Sequence, residues 1–324
     1  MMKTRWLGVT LFLMGMAIPF APAHGQEKVE WTALEGKDSF YQELVTKTEQ
    51  TMKVQDQTNK QTQNQTFVFK WTPVKKDGDN YVVTQEIIII KMDINIGGNM
   101  ISYDSTKKDQ PKNPMTEFFG ALKGAKFTLT LNPKEQSVEK VEGVKDLVDS
   151  LTKINAQMKP LLEQILSESA VKQMAEPMLT VVPKSGEFKK DEEWTPKSSP
   201  LDMGPIGSYT TKNTYKCKNI DKDKGLAEID VSVDLSYQAP KKDGKAKLPF
   251  TIKEEDTTLA SVAKDSKGKV YFNIKKGIIE SSTIDVTLKG NISIEIAGME
   301  TSVELEQTQK TTLKTLEEAP KTSE

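Results

Sequence analysis

Between Ser282 and Ile296, apolar and polar side chains change places at almost every residue. Ile284, Val286, Leu288, Ile292, Ile294 and Ile296 point one way, and Asp285, Thr287, Lys289, Asn291, Ser293 and Glu295 point the other. A period of two is the mark of an extended strand with one buried face. At about 3.3 Å per residue the run reaches about 50 Å, far beyond an ordinary strand. Gly290 falls where the apolar face lacks a side chain, which predicts a bend or bulge. A strand of this length belongs in a large curved antiparallel sheet.

The same alternation recurs towards the N-terminus, in a stretch polar enough to suggest low complexity. Leu44, Thr46, Thr48, Met52 and Val54 share one side of an extended chain, with Glu43, Lys47, Glu49 and Lys53 opposite. Phe67, Phe69 and Trp71 alternate with Thr66, Val68 and Lys70, and "QDQTNK" between the two runs has the composition of a hairpin turn. Branched Thr suits a pleated surface, so this Gln/Thr-rich ribbon is expected to be folded. "KKDGDN" carries Asp-Gly, a strong hairpin signal, and leads into a strand with Val82, Ile88, Ile90, Met92, Ile94 and Ile96 on one face. Gly97-Gly98 turns the chain back, a short helix is expected around "MTEFFGAL", and "KFTLTLNPKEQSVEKVEG" reads as a hairpin turning at Asn132-Pro133.

From residue 144 the period changes. Val144, Leu147, Val148 and Leu151 recur at helical spacing, Pro160 is placed to open a second helix, and Ser167 or Ser169 to cap a third that Pro177 ends. Strands resume with "GSYTTKNTYKCK", "LAEIDVSVDLSYQ", "PFTIKEEDTTLASVA" and "KVYFNIKK". The expected fold is therefore α+β: mainly long antiparallel strands in one or two curved, half-barrel-like sheets, with a central helical segment. The expected divisions are a signal segment (1–25), an N-terminal β region (26–143), helices (144–182), a C-terminal β region (183–316) and a frayed tail (317–324). The two β regions have look-alike pieces, "MDINIGGNMISYD" with "ISIEIAGMETSVE" and "EQTMK" with "EQTQK", which fits a two-lobed arrangement.

The first 25 residues predict export. Lys3 and Arg5 precede an apolar stretch from Leu7 to Phe20, and "APAHG" offers cleavage after Ala23 or Gly25. No other segment approaches membrane length, so no transmembrane segment is expected in the mature chain. The single cysteine, Cys217, rules out an intramolecular disulfide and leaves stability to the core. With 45 Lys+Arg against 46 Asp+Glu, interspersed, the chain has no basic footprint for nucleic acid.

The order of several segments carries a resemblance. "YQELVTKTEQTMKV", "KMDINIGGNMISYDS", "FTLTLNPKEQSVEKVEG", "VKQMAEPML", "MGPIGSY" and "KKGIIESSTIDVTLKG" together resemble an uncharacterised family of exported bacterial proteins, a domain of unknown function. The likeness spans most of the mature chain, and its motifs are structural; it implies no catalytic residue. Members commonly place Gly just ahead of the tryptophan segment, where "KKDEEW" has Asp191.

The chemistry expected is that of a binding protein. The only histidine, His24, lies beside the cleavage site, which removes imidazole from the mature chain's catalytic and metal repertoire. Ser150 and Lys153 have Ser-x-x-Lys spacing, but a chain rich in lysine produces such matches by chance. Asn219, Asp221, Asp223 and Asp230 imitate a calcium loop, yet Lys224 stands at the position needing Gly and the flanks read as strands; a charged hairpin turn is expected, as for Asp77–Asn80. No metal or cofactor is expected. The candidate site is an apolar lining of the curved sheet by Ile88, Ile90, Ile94, Ile284, Val286, Ile292 and Ile294, with helices 144–179 as its plug or simply as part of the core. The expected function is a non-enzymatic envelope protein that binds an apolar or extended ligand; the alternative is an interaction scaffold with an envelope-protein partner.

Overall fold

The computed structural model describes residues 27–320, apart from 111–112, 157–158, 160–161, 164–165, 199, 203–206, 241–249, 255 and 297. The signal segment, the helix start at Pro160 and the last residues of the tail lie outside the described residues.

In chain order the elements are β1 (Glu27–Lys28), α1 (Thr32–Glu35), β2 (Phe40–Val54), β3 (Gln57–Asp77), β4 (Asn80–Ile96), β5 (Asn99–Asp104), α2 (Pro114–Leu122), β6 (Lys126–Asn132), β7 (Ser137–Glu142) and α3 (Val144–Ile154). After them come α4 (Glu168–Ala175), α5 (Pro177–Thr180), β8 (Glu187–Phe188), β9 (Glu193–Trp194), β10 (Leu201–Asp202), β11 (Ser208–Asp221) and β12 (Leu226–Gln238). The last are β13 (Thr251–Lys253), β14 (Ala260–Ser261), β15 (Lys267–Asn273), β16 (Ile278–Ile296) and β17 (Met299–Leu316).

Strands β1 and β8 pair with each other, and the other described strands form one antiparallel sheet of fifteen. The two β regions join because β2 and β17 pair from Tyr41–Leu316 to Val54–Val303. Of the look-alike pieces, "EQTMK" and "EQTQK" are thus neighbours in one sheet: Gln50 faces Gln307, with Glu49 opposite Thr308 and Thr51 opposite Glu306. The five longest strands, β4, β3, β2, β17 and β16, lie side by side at the sheet's centre.

Turn chemistry follows the sequence. Gln55-Asp56 closes β2 to β3 with Gln55 at φ 53°, and Gly78 (φ 62°) turns β3 into β4. Gly97 and Gly98 (φ 57° and 94°) form the two-residue turn of β4 and β5, in which both central residues need positive φ.

Two expectations change. On β4 the register slips between Val68–Ile89 and Phe69–Ile87, leaving Ile88 as the extra residue of a bulge. A bulge switches parity. Tyr81, Val83 and Ile87 therefore join Ile90, Met92 and Ile94 in the clusters packed by the helices, and Val82 does not belong to that face. At Gly290 there is no bulge, since β16 pairs with β17 without slippage from Ser281 to Ile296. The missing side chain instead makes room for the backbone of Thr258 crossing over the strand. That crossing is why "PFTIKEEDTTLASVA" yields only the short β13 and β14.

The helices pack on the apolar inner face. Leu34 of α1 and Leu147, Val148 and Leu151 of α3 join Trp71, Val83, Leu129 and Leu131 in one core, and α2 covers Ile90, Met92 and Ile94 with Phe119. The other half is cored by Phe188, Cys217, Ile229, Val270 and Phe272. Ser167 caps α4 by accepting from Ala170 N at 3.2 Å. Helix α4 packs on both β7 and β10, the two ends of the strand order, and Lys172 Nζ donates to Glu139 O at 2.7 Å. The edge of β7 is thereby covered, one way a sheet avoids pairing with another chain.

Cys217 sits in this core, fully buried. Burial, with Glu192 and Asp191 nearby, pushes its thiol up to about 11. A thiol raised in this way favours the folded state below its unfolded value, and that contribution is lost as pH rises through the folded one. Iodoacetamide at neutral pH is expected to modify Cys217 only at the rate of global unfolding, and stability should fall between about pH 9 and 11. Rapid labelling of native protein would contradict the burial.

Candidate functional site

Strand pairing fixes which side chains share the inner face. Row by row across β3, β2 and β17, Gln65–Thr46–Thr311 is followed by Gln63–Thr48–Gln309 and then by Gln61–Gln50–Gln307. These nine residues form a three-by-three patch of carboxamides and hydroxyls. With strands about 4.8 Å apart and same-face residues about 6.7 Å apart, it measures about 10 by 13 Å. Thr46 is buried and the other eight are half-buried.

An apolar frame surrounds the patch. On one flank β4 places Met92, Ile94 and Ile96 beside Gln65, Gln63 and Gln61. On the other, β16 places Ile284, Val286 and Leu288 beside Thr311, Gln309 and Gln307. Phe67, Leu44 and Leu313 close the end nearest the helices, and Met52 and Leu305 the far end. Within the patch, Gln63 Nε2 donates to Gln65 Oε1 at 3.2 Å and to Met92 Sδ at 3.6 Å, and Gln309 Nε2 donates to Thr311 Oγ1 at 3.3 Å. Gln50, Gln61 and Gln307, the third row, make no side-chain hydrogen bond among the described residues, so their amides are available to water or a ligand. Every patch group is uncharged, and neither carboxamide nor threonine hydroxyl titrates near neutral pH.

The seven residues expected to line an apolar wall fall on two sides of this patch. Ile90 and Ile94 are buried against α2 and Tyr103. Ile88 is the half-buried bulge residue. Ile284 and Val286 pack on the core around Phe272, and Val286 and Ile292 on Leu259, Leu288 and Leu305. Ile294 pairs with Ile252 of β13. Strands β4 and β16 are separated by β3, β2 and β17, about 19 Å at four strand spacings. The aliphatic residues are walls, and the floor between them is polar. Sequence reasoning placed Thr46 and Thr48 on one side of an extended chain with Leu44 and Met52, but passed over Gln50, Gln61, Gln63, Gln65, Gln307, Gln309 and Thr311. The signal was there in "QTQNQ" and "EQTQK", where Gln repeats at every second residue.

The other motifs resolve into turns. Asp221 Oδ1 accepts from Lys224 N at 3.1 Å in the β11–β12 turn, while Asp230 lies along β12 opposite Lys216. Asp77 pairs with Lys75 at 3.3 Å and Asp79 with Lys134 at 3.2 Å. Among the described residues no cluster of three or more His, Cys, Asp or Glu side chains is arranged to hold a metal ion, and no helix is long and apolar enough to cross a membrane.

A curved antiparallel sheet with an uncharged inner patch defines the class of protein. The family model "Family of unknown function (DUF6263)" matches residues 78–279, and the chain belongs to that family. No curated protein matches the sequence. Among solved structures, a lipovitellin structure titled for its lipid–protein interactions has a TM-score of 0.43 at 10% identity, over 90% of this chain and 26% of that one. The chain thus spans about a quarter of the lipovitellin it matches. Pseudomonas aeruginosa OccK5 (OpdH) gives a TM-score of 0.21 at 7% identity, over 86% of this chain and 98% of that one. The β domain of the Bordetella autotransporter BrkA gives 0.22 at 5%, over 85% and 98%.

Asp191 adopts φ 66° and donates its N–H to Cys217 O at 2.7 Å. The left-handed conformation is one that glycine adopts without a Cβ penalty. Asp191→Gly is expected to stabilise the protein by about 0.5–1 kcal/mol by removing the Cβ penalty, a gain moderated by the looser unfolded chain. A denaturation midpoint that moves down would show that the aspartate side chain supports this turn.

Proposed function

We propose that this is an exported, non-enzymatic protein that binds an extended, uncharged ligand along the inner face of its central strands. The observation that carries this reading is the nine-residue amide and hydroxyl patch inside an aliphatic frame. Carboxamides both donate and accept, so they suit a ligand with hydroxyl or amide groups along its length, while the walls of β4 and β16 take its apolar parts. None of the nine groups can serve as an acid, base or charged nucleophile at neutral pH, which favours binding over catalysis. A scaffold role has one observation in its favour. Ile96 and Met100, 46% and 63% exposed, and Ile296 and Met299, 46% and 70%, sit at the β4–β5 and β16–β17 hairpin ends.

The test begins with protein purified from the envelope or culture fluid of its source cell. Its mature N-terminus should follow Ala23 or Gly25, and native mass spectrometry should show a bound mass released on collisional activation. The triple variant Gln50→Val, Gln61→Val, Gln307→Val keeps strand propensity and is expected to lose that mass. Retention of the ligand would remove the patch from the binding site. If the wild-type protein carries no ligand but captures a partner, the scaffold reading replaces this one.

A further inference from the structure

On the seam where α4 and α5 meet β10 and β11, away from the inner patch, lies a cavity of about 250 Å³. This is slightly below the roughly 300 Å³ at which sites for drug-sized ligands begin, so it suits a small metabolite. Two opposite charges line it, Glu176 and Lys197. They form no ion pair with each other, and neither has an ion-pair partner among the described residues. Lys172, the cation that acts on Glu176 from the same helix, pairs with Glu168 at 3.1 Å and donates to Glu139 O at 2.7 Å. Burial pushes the Glu176 carboxyl up, opposed by Lys172. One turn earlier, Gln173 Oε1 is buried with no hydrogen-bond partner. This wall therefore offers two acceptors without a full partner, the Glu176 carboxylate and Gln173 Oε1.

The remaining lining mixes polar groups, Thr180, Ser198, Thr211 and Asn213, with an apolar and aromatic surface. Tyr209 is braced by Tyr237, with ring centroids 5.0 Å apart, and Leu201 and the 54%-exposed Met174 complete the surface.

We propose that this cavity binds a small zwitterion of amino-acid or dipeptide type, its ammonium on Glu176 and its carboxylate on Lys197. The hydrocarbon portion lies against Tyr209, Leu201 and Met174. A neutral ligand would leave both protein charges unmatched and the carboxylate desolvated, which is unfavourable. A phosphate would meet one cation and a nearby carboxylate, and is opposed for the same reason.

The experiment is isothermal titration calorimetry of the full chain with leucine, methionine and dialanine, alongside leucine methyl ester and N-acetyl-leucine. At least one free zwitterion is expected to bind, and each singly blocked leucine to bind at least about tenfold more weakly than leucine, the effect of about 1.4 kcal/mol for one lost charge contact. Lys197→Met should weaken leucine but not its methyl ester, and Glu176→Gln should weaken leucine but not N-acetyl-leucine. Lys197 is exposed, so its variant decides the matter if Glu176→Gln fails to fold. The proposal is overturned if no zwitterion binds at about 10 mM, the weak end of measurable affinity, if blocked and free leucine bind alike, or if Lys197→Met binds leucine as the wild type does.

Discussion

Phe188→Ala is expected to cost about 3–5 kcal/mol, the range for truncating a fully buried phenylalanine. Phe188 has no exposed surface and is the central ring of a chain of aromatics. Its centroid lies 5.5 Å from Phe272 and 6.0 Å from Trp194; Phe272 in turn meets Trp31 at 6.1 Å and Trp194 meets Tyr215 at 5.6 Å. The ring belongs to β8, which pairs with β1, so it ties that small two-stranded sheet to the face of the large sheet. Phe272 and Tyr215 are held by long strand ladders and cannot move in to fill the space. The loss is therefore expected near the upper end of the range. Guanidinium denaturation followed by tryptophan fluorescence should show a lower midpoint with an unchanged slope, the signature of altered stability without altered compactness. A cost under about 1 kcal/mol would mean that the β1–β8 pair re-docks and the cavity closes.

How far the sequence shows this architecture depends on whether each feature is local. Alternation is local, and it marks β2, β3, β16 and β17 because every second side chain meets the same environment. Turns are local too: Asp77-Gly78 and Gly97-Gly98 carry their geometry in their own residues. What pairs with what is not local. Nothing in "EQTMK" or "EQTQK" says that the two lie side by side, yet that contact merges both β regions into one sheet. The bulge at Ile88 is hidden for a related reason. A run of four isoleucines has no polar residue to register a change of face, so parity can switch inside it unseen. The inner patch was missed because glutamine is read as a surface residue, and only the pairing of three strands shows nine polar groups converging. The aliphatic residues were each visible as apolar positions, while the polar floor between them depends on strand order.

Gly290→Ala is expected to destabilise the protein by about 3 kcal/mol, although a glycine-to-alanine change in a strand-compatible site usually helps by about 0.4–1 kcal/mol through the unfolded chain. The sign reverses because Gly290 holds φ 156°, which L side chains rarely adopt, and because of what lies above the residue. A Cβ at Gly290 would fall 1.7 Å from Thr258 O, 2.6 Å from Thr258 C and 2.8 Å from Leu259 Cα. All three are backbone atoms, so no side chain can rotate aside. The crossing segment must lift, and it is held in place by Thr258 N donating to Asn291 O at 2.8 Å, Ser293 N to Thr257 Oγ1 at 3.1 Å and Tyr237 N to Leu259 O at 3.1 Å. Lifting it also withdraws buried Leu259 from Leu288 and Leu305. Leu259→Ala alone should cost about 2–5 kcal/mol as a core truncation. If the alanine at 290 acts by displacing this segment, much of the contribution of Leu259 is already lost in that background, and the double variant should cost clearly less than the two single changes added together. Strict additivity in denaturant titrations would place the effect of Gly290→Ala within β16 itself, and would leave the crossing segment without a role in holding this end of the sheet.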